Sequence, residues 1–161
     1  MKRGRPEVPP LAGFSIEIPV RFAECDAYGV VWHGHYALYM EQVREALTAR
    51  HGFTATRSLA LGYRVPITRM EIRYRQAILA DTTVRVTARL REPEAARIVL
   101  DYELRDGGGR LLATAETEQV VLNAKGELLL ALPAPIAKLV REIRESQPTG
   151  PLAPAPSKDA G

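Results

Sequence analysis

One cysteine, Cys25, is all this chain has, so no intrachain disulfide can form and the composition fits a reducing compartment. No uninterrupted apolar run is long enough to span a bilayer, which argues against membrane insertion. Lys2, Arg3 and Arg5 open the chain, but Pro6-Glu7-Val8-Pro9-Pro10 follows where a secretory signal needs a continuous apolar stretch. A cytoplasmic location is the expectation. Charge of one sign is scarce too: the net charge is +3, and part of that excess sits in the first five residues. The remaining basic residues alternate along strand-like segments with no stacking aromatics among them, which argues against a nucleic-acid partner. His35 and His51 have no cysteine or carboxylate partner at metal-ligand spacing, so no metal is expected. Gly107-Gly108-Gly109 lacks the Lys-Ser/Thr of a phosphate-binding loop, and no cofactor is expected.

What is there is ordinary globular material, 46% hydrophobic and 25% charged, at a length that suits one domain. Met1 to Pro10 is rich in charge and proline, and Gln147 to Gly161 is proline, glycine, alanine and polar residues without periodicity. Both are expected to be disordered tails, with the folded unit running from Leu11 to Ser146. Phe14, Ile16, Ile18, Val20 and Phe22 share one face of a half-buried strand, with Pro19 pointing to an edge or bulge. The period then changes: Tyr36, Tyr39, Met40, Val43 and Leu47 make a helical stripe that His51-Gly52 stops. A short helix is expected over Thr56 to Leu61. Beyond Tyr63 the segments alternate as strands. Val65 and Ile67 have one parity and Met70, Ile72 and Tyr74 the other, which places a bulge near Thr68-Arg69. Strands carrying Val84 to Leu90, Ile98 to Leu104 and Leu111 to Leu122 follow, with turns at Asp106 to Gly109 and Asn123 to Gly126. Ile136, Leu139, Val140 and Ile143 return to helical spacing behind Pro133 and Pro135.

Strand, long helix, four strands and a terminal helix describe an α+β unit in which one long antiparallel sheet wraps around a central helix. A ferredoxin-like arrangement needs a second long helix in mid-chain, and none is legible between Tyr63 and Asn123.

Asp26 lies in the loop that feeds the long helix. It can serve as a turn former, as a solvated acid or as a partner for Arg21. Val30, Val31 and Trp32 are bulky and apolar, however, so the loop is expected to be buried and the carboxylate desolvated. Backbone N–H groups at the start of the following helix point back toward such a loop and suit a developing oxyanion. A carboxylate beside an oxyanion site is the minimum equipment for thioester hydrolysis.

The run Arg21-Phe22-Ala23-Glu24-Cys25-Asp26-Ala27-Tyr28-Gly29-Val30-Val31-Trp32-His33-Gly34-His35-Tyr36, continuing through Tyr39-Met40-Glu41-Gln42-Val43-Arg44, resembles the signature of the 4-hydroxybenzoyl-CoA thioesterases and the Tol-Pal-associated acyl-CoA thioesterases. The resemblance covers roughly Phe14 to Asn123. It implies a hotdog fold and hydrolysis of a short-chain or aromatic acyl-CoA, coenzyme A being part of the substrate. Asp26 matches the catalytic aspartate, either nucleophile or general base for water. His33 matches the position whose backbone N–H polarises the thioester carbonyl, with a side-chain role in the pocket left open. Gly29 allows close backbone approach, and Tyr36 matches a residue of the pocket or dimer interface. Val30, Trp32 and Tyr63 join them as candidates for the acyl side. Arg91 and Arg97 sit where the aromatic-CoA relative carries basic residues near the nucleotide; solvated strand-end arginines are the plainer alternative, and Arg89 shares it. The chain departs from the family at Gly34-His35, where Ala or Pro followed by Asn or Ser is common and His35 is a poorer helix cap, and at Trp32, where Tyr or Phe is usual.

Glu41 is a second helix carboxylate, one position away from where another hotdog subclass carries its acid; a surface role paired with Arg44 is the simpler assignment. Cys25, beside an aspartate, is a packing residue rather than a nucleophile. A lone hotdog leaves a sheet edge and half a pocket uncovered, so a homodimer or homotetramer is expected. An acyl-carrier-protein thioesterase and a non-catalytic acyl-CoA-binding module are the alternatives.

Overall fold

Alternating apolar residues build five strands in the computed structural model, which describes residues 8–150: β1 (Phe14–Pro19), β2 (Ile67–Tyr74), β3 (Thr83–Leu90), β4 (Ile98–Arg105) and β5 (Leu111–Gln119). All pair antiparallel in one sheet of order β1-β3-β4-β5-β2. The long helix α1 (His35–Arg50) follows β1, the short α2 (Ala55–Ala60) precedes β2, and α3 (Ala134–Ser146) closes the described chain. No helix among the described residues is long and apolar enough to cross a membrane.

The helical stripe is the inner face of α1. Tyr36, Tyr39, Met40, Val43 and Leu47 are its buried residues, and they share one core with Val84, Val86, Ala88 and Leu90 of β3 and Leu100, Tyr102 and Leu104 of β4. The sheet therefore wraps around α1, as the hotdog expectation required. Ile136, Leu139, Val140 and Ile143 of α3 complete that core. The register of β2 on β5 shifts between Ile67 and Arg69. That bulge puts Ile67, Met70, Ile72 and Tyr74 opposite Gln119, Thr117, Ala115 and Ala113, all on the face that looks toward α1. β2 is also an edge strand, with one side unpaired among the described residues.

Two expectations need correction, and one strand face is covered against its pattern. Phe22 does not continue the buried face of β1: the strand ends at Pro19, the chain turns through a 3-10 turn at Phe22–Glu24, and the Phe22 ring is exposed. The last long strand ends at Gln119, not Leu122, which makes only isolated bridges to Arg64 and Leu128. Finally, Asp101, Glu103 and Arg105 are buried although their parity puts them on the outer, polar face of β4. The chain entering the fold lies across the last two: Leu11 N–H donates to Glu103 Oε1 at 3.2 Å, and Arg105 Nη2 donates to the Val8 carbonyl at 2.8 Å, while Arg91 holds Asp101. Val8, Pro9 and Pro10, assigned to the N-terminal tail from the sequence, thus flank an outer-face contact. At the other end Gln147 donates to the Leu90 carbonyl at 3.1 Å and accepts from its N–H at 2.5 Å, so the contacts run past Ser146. The rest of both expected tails, 1–7 and 151–161, lies outside the described residues.

Candidate active site

After Glu24 the chain folds back on itself. Asp26 N–H donates to the Val30 carbonyl at 2.9 Å, Gly29 N–H to the Asp26 carbonyl at 3.0 Å, and Trp32 N–H to the Glu24 carbonyl at 2.9 Å. Gly29 closes this turn at φ +74, a conformation that a residue with a Cβ resists. Val31 N–H donates to the Ile78 carbonyl at 2.8 Å and turns its side chain into the core. The loop is thereby fastened on one side and presented on the other.

Asp26 is half-buried. Its Oδ1 accepts the Tyr28 N–H at 2.8 Å, which is the turn-forming role a loop aspartate commonly has. Its Oδ2 accepts no hydrogen bond from any described residue, and among those residues no ion pair joins it to Arg21. One oxygen is held and the other is unengaged among the described residues. At the far end of the loop the helix begins without a side-chain cap at Gly34. The N–H groups of His33 and Gly34 donate to nothing among the described residues, whereas His35 N–H is taken by the Trp32 carbonyl at 2.9 Å. Tyr74 hydroxyl donates to the His33 carbonyl at 3.2 Å. In a planar trans peptide C=O and N–H point opposite ways, so this bond also sets the direction of the Gly34 N–H. The Tyr74 ring meets the buried Tyr36 edge-on, with centroids 4.8 Å apart. The Trp32 indole crosses the helix start so closely that a Cβ on Gly34 would lie 2.1 Å from it. That contact accounts for a glycine at the position before the helix.

The expectation of a buried loop is corrected here. Ala27, Tyr28, Gly29, Trp32 and His33 are exposed, Val30 is half-buried, and only Val31 is buried. In a tight fold-back anchored along one side, the intervening side chains face outward whatever their hydrophobicity.

Two residues that sequence reasoning left without a role hold the site together, Glu24 and Tyr74. Glu24 Oε2 accepts both the Tyr39 hydroxyl at 2.6 Å and the Arg21 N–H at 3.0 Å, tying the loop to the inner stripe of α1. A tyrosine on a core stripe is the signal for such a tie, because its buried hydroxyl needs a partner. Burial pushes the Glu24 carboxyl up, but the two donors outweigh it and hold it below the usual carboxylate range. Burial and Glu24 together push the Tyr39 hydroxyl up, so it stays a donor. A group with a depressed folded pKa contributes stability above its unfolded value and loses it as pH falls through the folded one. Urea unfolding of wild type and Glu24→Gln across pH should therefore show a stability gap that is constant above about pH 5 and closes below about pH 4. A gap independent of pH would show that the charge of Glu24 contributes nothing.

The other candidates lie elsewhere. Tyr63 lines a cavity with Thr48 and Phe53, at the opposite end of α1 from Asp26. Arg91 grips Asp101 with bonds of 2.7 and 2.5 Å and Glu116 with one of 2.6 Å, on the outer face of the sheet. Arg97 pairs with Glu94 at 2.8 Å and Glu118 at 3.5 Å. The structure does not bring these three together with Asp26. Glu41 pairs with Arg44 on α1. Cys25 packs half-buried against the core, its Sγ 3.8 Å from the Arg21 carbonyl.

A family model described as the thioesterase-like superfamily matches residues 20–143. The chain belongs to that superfamily, and is a thioester hydrolase. A 1,4-dihydroxy-2-naphthoyl-CoA hydrolase of Thermosynechococcus vestitus is 27% identical over 127 residues, 78% of this chain and 87% of the relative. The structure of a 1,4-dihydroxy-2-naphthoyl-CoA thioesterase from Synechocystis superposes with a TM-score of 0.74 over 81% of this chain and 96% of that one, at 20% identity. A Staphylococcus aureus protein solved in complex with CoA gives a TM-score of 0.78 over 91% of this chain and 93% of that one, at 17% identity. Within this thioesterase-like fold the sheet, α1 and the loop between β1 and α1 fall almost wholly inside the matched span, β1 alone preceding it.

Proposed function

We propose that this protein hydrolyses acyl-CoA thioesters, with Asp26 as the reacting carboxylate and the His33 and Gly34 amides as the oxyanion site. The observation that carries this is the pairing of an unengaged Asp26 oxygen with two unengaged N–H groups at the two ends of one fold-back loop. A thioester carbonyl directed at those amides gains charge stabilisation as its oxygen becomes negative. Asp26 then either attacks the carbonyl carbon, giving a mixed anhydride that water opens, or takes a proton from an attacking water. In both routes the carbon–sulfur bond breaks and the CoA thiolate leaves with a proton. Val30, Trp32 and Tyr36 flank the carbonyl position, and Gly29 keeps the loop's tight turn. The relative that hydrolyses 1,4-dihydroxy-2-naphthoyl-CoA supports a CoA-borne substrate. Arg91 and Arg97 would serve a nucleotide phosphate only by giving up carboxylates they already hold.

A second copy of the chain belongs against this site. Tyr28, Trp32, Leu38, Met70 and Tyr74 are exposed beside the unpaired edge of β2, and an edge of that kind invites pairing. Light scattering should give a dimer or tetramer, and a monomer at micromolar concentration would contradict the placement.

Thiol release from a panel of aliphatic and aromatic acyl-CoAs, run beside the same acyl groups on acyl carrier protein, tests the function. Turnover of at least one CoA thioester well above the uncatalysed rate is expected. Turnover confined to the carrier-protein thioesters would move the assignment to that substrate, and binding of acyl-CoA without thiol release would refute catalysis.

A further inference from the structure

We infer that the acyl group is a long aliphatic chain whose tail lies in the cavity at the far end of α1, an inference that rests on the acyl-CoA thioesterase reading. The cavity, of about 430 Å³, lies between the second half of α1, α2, α3 and the inner face of the sheet. That is within the range of small-molecule sites, roughly 300–1,000 Å³. Leu47, Phe53, Tyr63, Val65, Leu139 and Ile143 make its wall largely apolar. Apart from Glu45 and Arg64, whose side chains are exposed at its rim, several polar groups reaching it are already engaged. Ser58 hydroxyl donates to the Tyr63 carbonyl at 3.1 Å, Gln119 Nε2 donates to Thr117 Oγ1 at 2.6 Å, and Arg44 is paired with Glu41. A polar ligand would lose its hydration there for little return, whereas a hydrocarbon loses nothing.

Apolar side chains of β2 and α1 occupy the stretch between the cavity and the oxyanion site. β2 runs back along α1, with Tyr74 against Tyr36 and His33 at one end and Val65 in the cavity wall at the other. Between them the bulge keeps Ile67, Met70 and Tyr74 on the inner face, yet they stay 37%, 39% and 51% exposed, with Leu38 of α1 at 52%. Their partners on β5, Ala113, Ala115 and Thr117, are small and buried. Glu41, the first α1 residue of the cavity wall, is seven residues beyond Gly34. At helical rise that is about 10 Å. A ring joined directly to the thioester carbon stops short of it, whereas an extended chain with bonds of about 1.5 Å covers it in roughly eight methylenes. Ile136, Leu139 and Val140 of α3 close the far end and set an upper length.

The test is kcat/KM for thiol release from butanoyl-, hexanoyl-, dodecanoyl- and benzoyl-CoA. Dodecanoyl-CoA should exceed butanoyl-CoA by about tenfold or more, since each buried methylene adds binding. Val65→Trp and Thr48→Phe, which fill the cavity, should each lower that dodecanoyl-to-butanoyl ratio by about tenfold. General damage to the fold lowers both rates and leaves the ratio unmoved. A readout independent of the variants is displacement of a fluorescent fatty acid from wild type, by dodecanoic acid but not by hexanoic acid. Preference for benzoyl-CoA, or a rate flat with chain length, would overturn the inference while leaving the thioesterase intact. Failure to hydrolyse any thioester would overturn both.

Discussion

Asp26→Asn is expected to lower kcat for thiol release by about a thousandfold or more while changing KM only a few-fold. The substitution is informative because asparagine keeps what the structure needs. Its carbonyl oxygen can still accept the Tyr28 N–H that Asp26 Oδ1 now accepts, so the loop turn survives. What it loses is the second, unengaged oxygen, which neither attacks a thioester nor takes a proton once it is an amide nitrogen. His33→Ala is the control. The donor proposed at that position is the backbone N–H, which the substitution keeps, so turnover should stay within about threefold of wild type. A large loss in His33→Ala would move the imidazole into the chemistry, and near-normal turnover in Asp26→Asn would remove Asp26 from it.

In stability, Glu103→Ala is expected to cost about 3–5 kcal/mol. Glu103 and Arg105 are both buried, bonded to each other through Nε–Oε1 at 2.5 Å and Nη2–Oε2 at 3.2 Å. Arg105 also donates to the Gly109 and Val8 carbonyls, and Glu103 accepts from Leu11 N–H. Removing the carboxylate strands a guanidinium away from bulk solvent, and releases the entering chain as well. Thermal melting should fall by about 10 °C. Replacing both residues with leucine should recover much of the loss, since no unpaired charge then remains. A change below about 1 kcal/mol for Glu103→Ala would mean that the pair is open to solvent in solution.

That buried pair also marks where local sequence pattern stops being informative. Period-2 alternation along β4 located the strand and assigned its inner face correctly, because Leu100, Tyr102 and Leu104 obey one local rule. It could not show that the outer face is covered too, since the cover comes from Val8 to Leu11, contacts that span 92 and 97 positions of the chain. The α1 stripe, the β2 bulge and the α3 stripe were legible for the same local reason. Phe22 misled because alternation says nothing of where a strand ends, and Pro19 was the only local sign. In the site, the loop from Asp26 to His33 was readable as a segment. Its exposure was not, because hydrophobic side chains there answer to a fold-back geometry rather than to a core. The Glu24–Tyr39 and Tyr74–His33 bonds join residues 15 and 41 positions apart, and no periodicity carries such pairs. The Arg91 expectation met the same limit: its carboxylate partners come from neighbouring strands that only the sheet order brings together.

If one loop holds a carboxylate and two amides around the same carbonyl, a bound substrate mimic must meet all three at once. The most direct measurement is a crystal structure with a ketone analogue of an acyl-CoA, in which a methylene replaces the sulfur and cannot leave. The ketone oxygen should lie about 3 Å from the His33 and Gly34 nitrogens, with Asp26 Oδ2 facing the carbonyl carbon or a water beside it. A ketone lodged elsewhere, at Glu41 for instance, with those two amides turned to solvent, would contradict that arrangement.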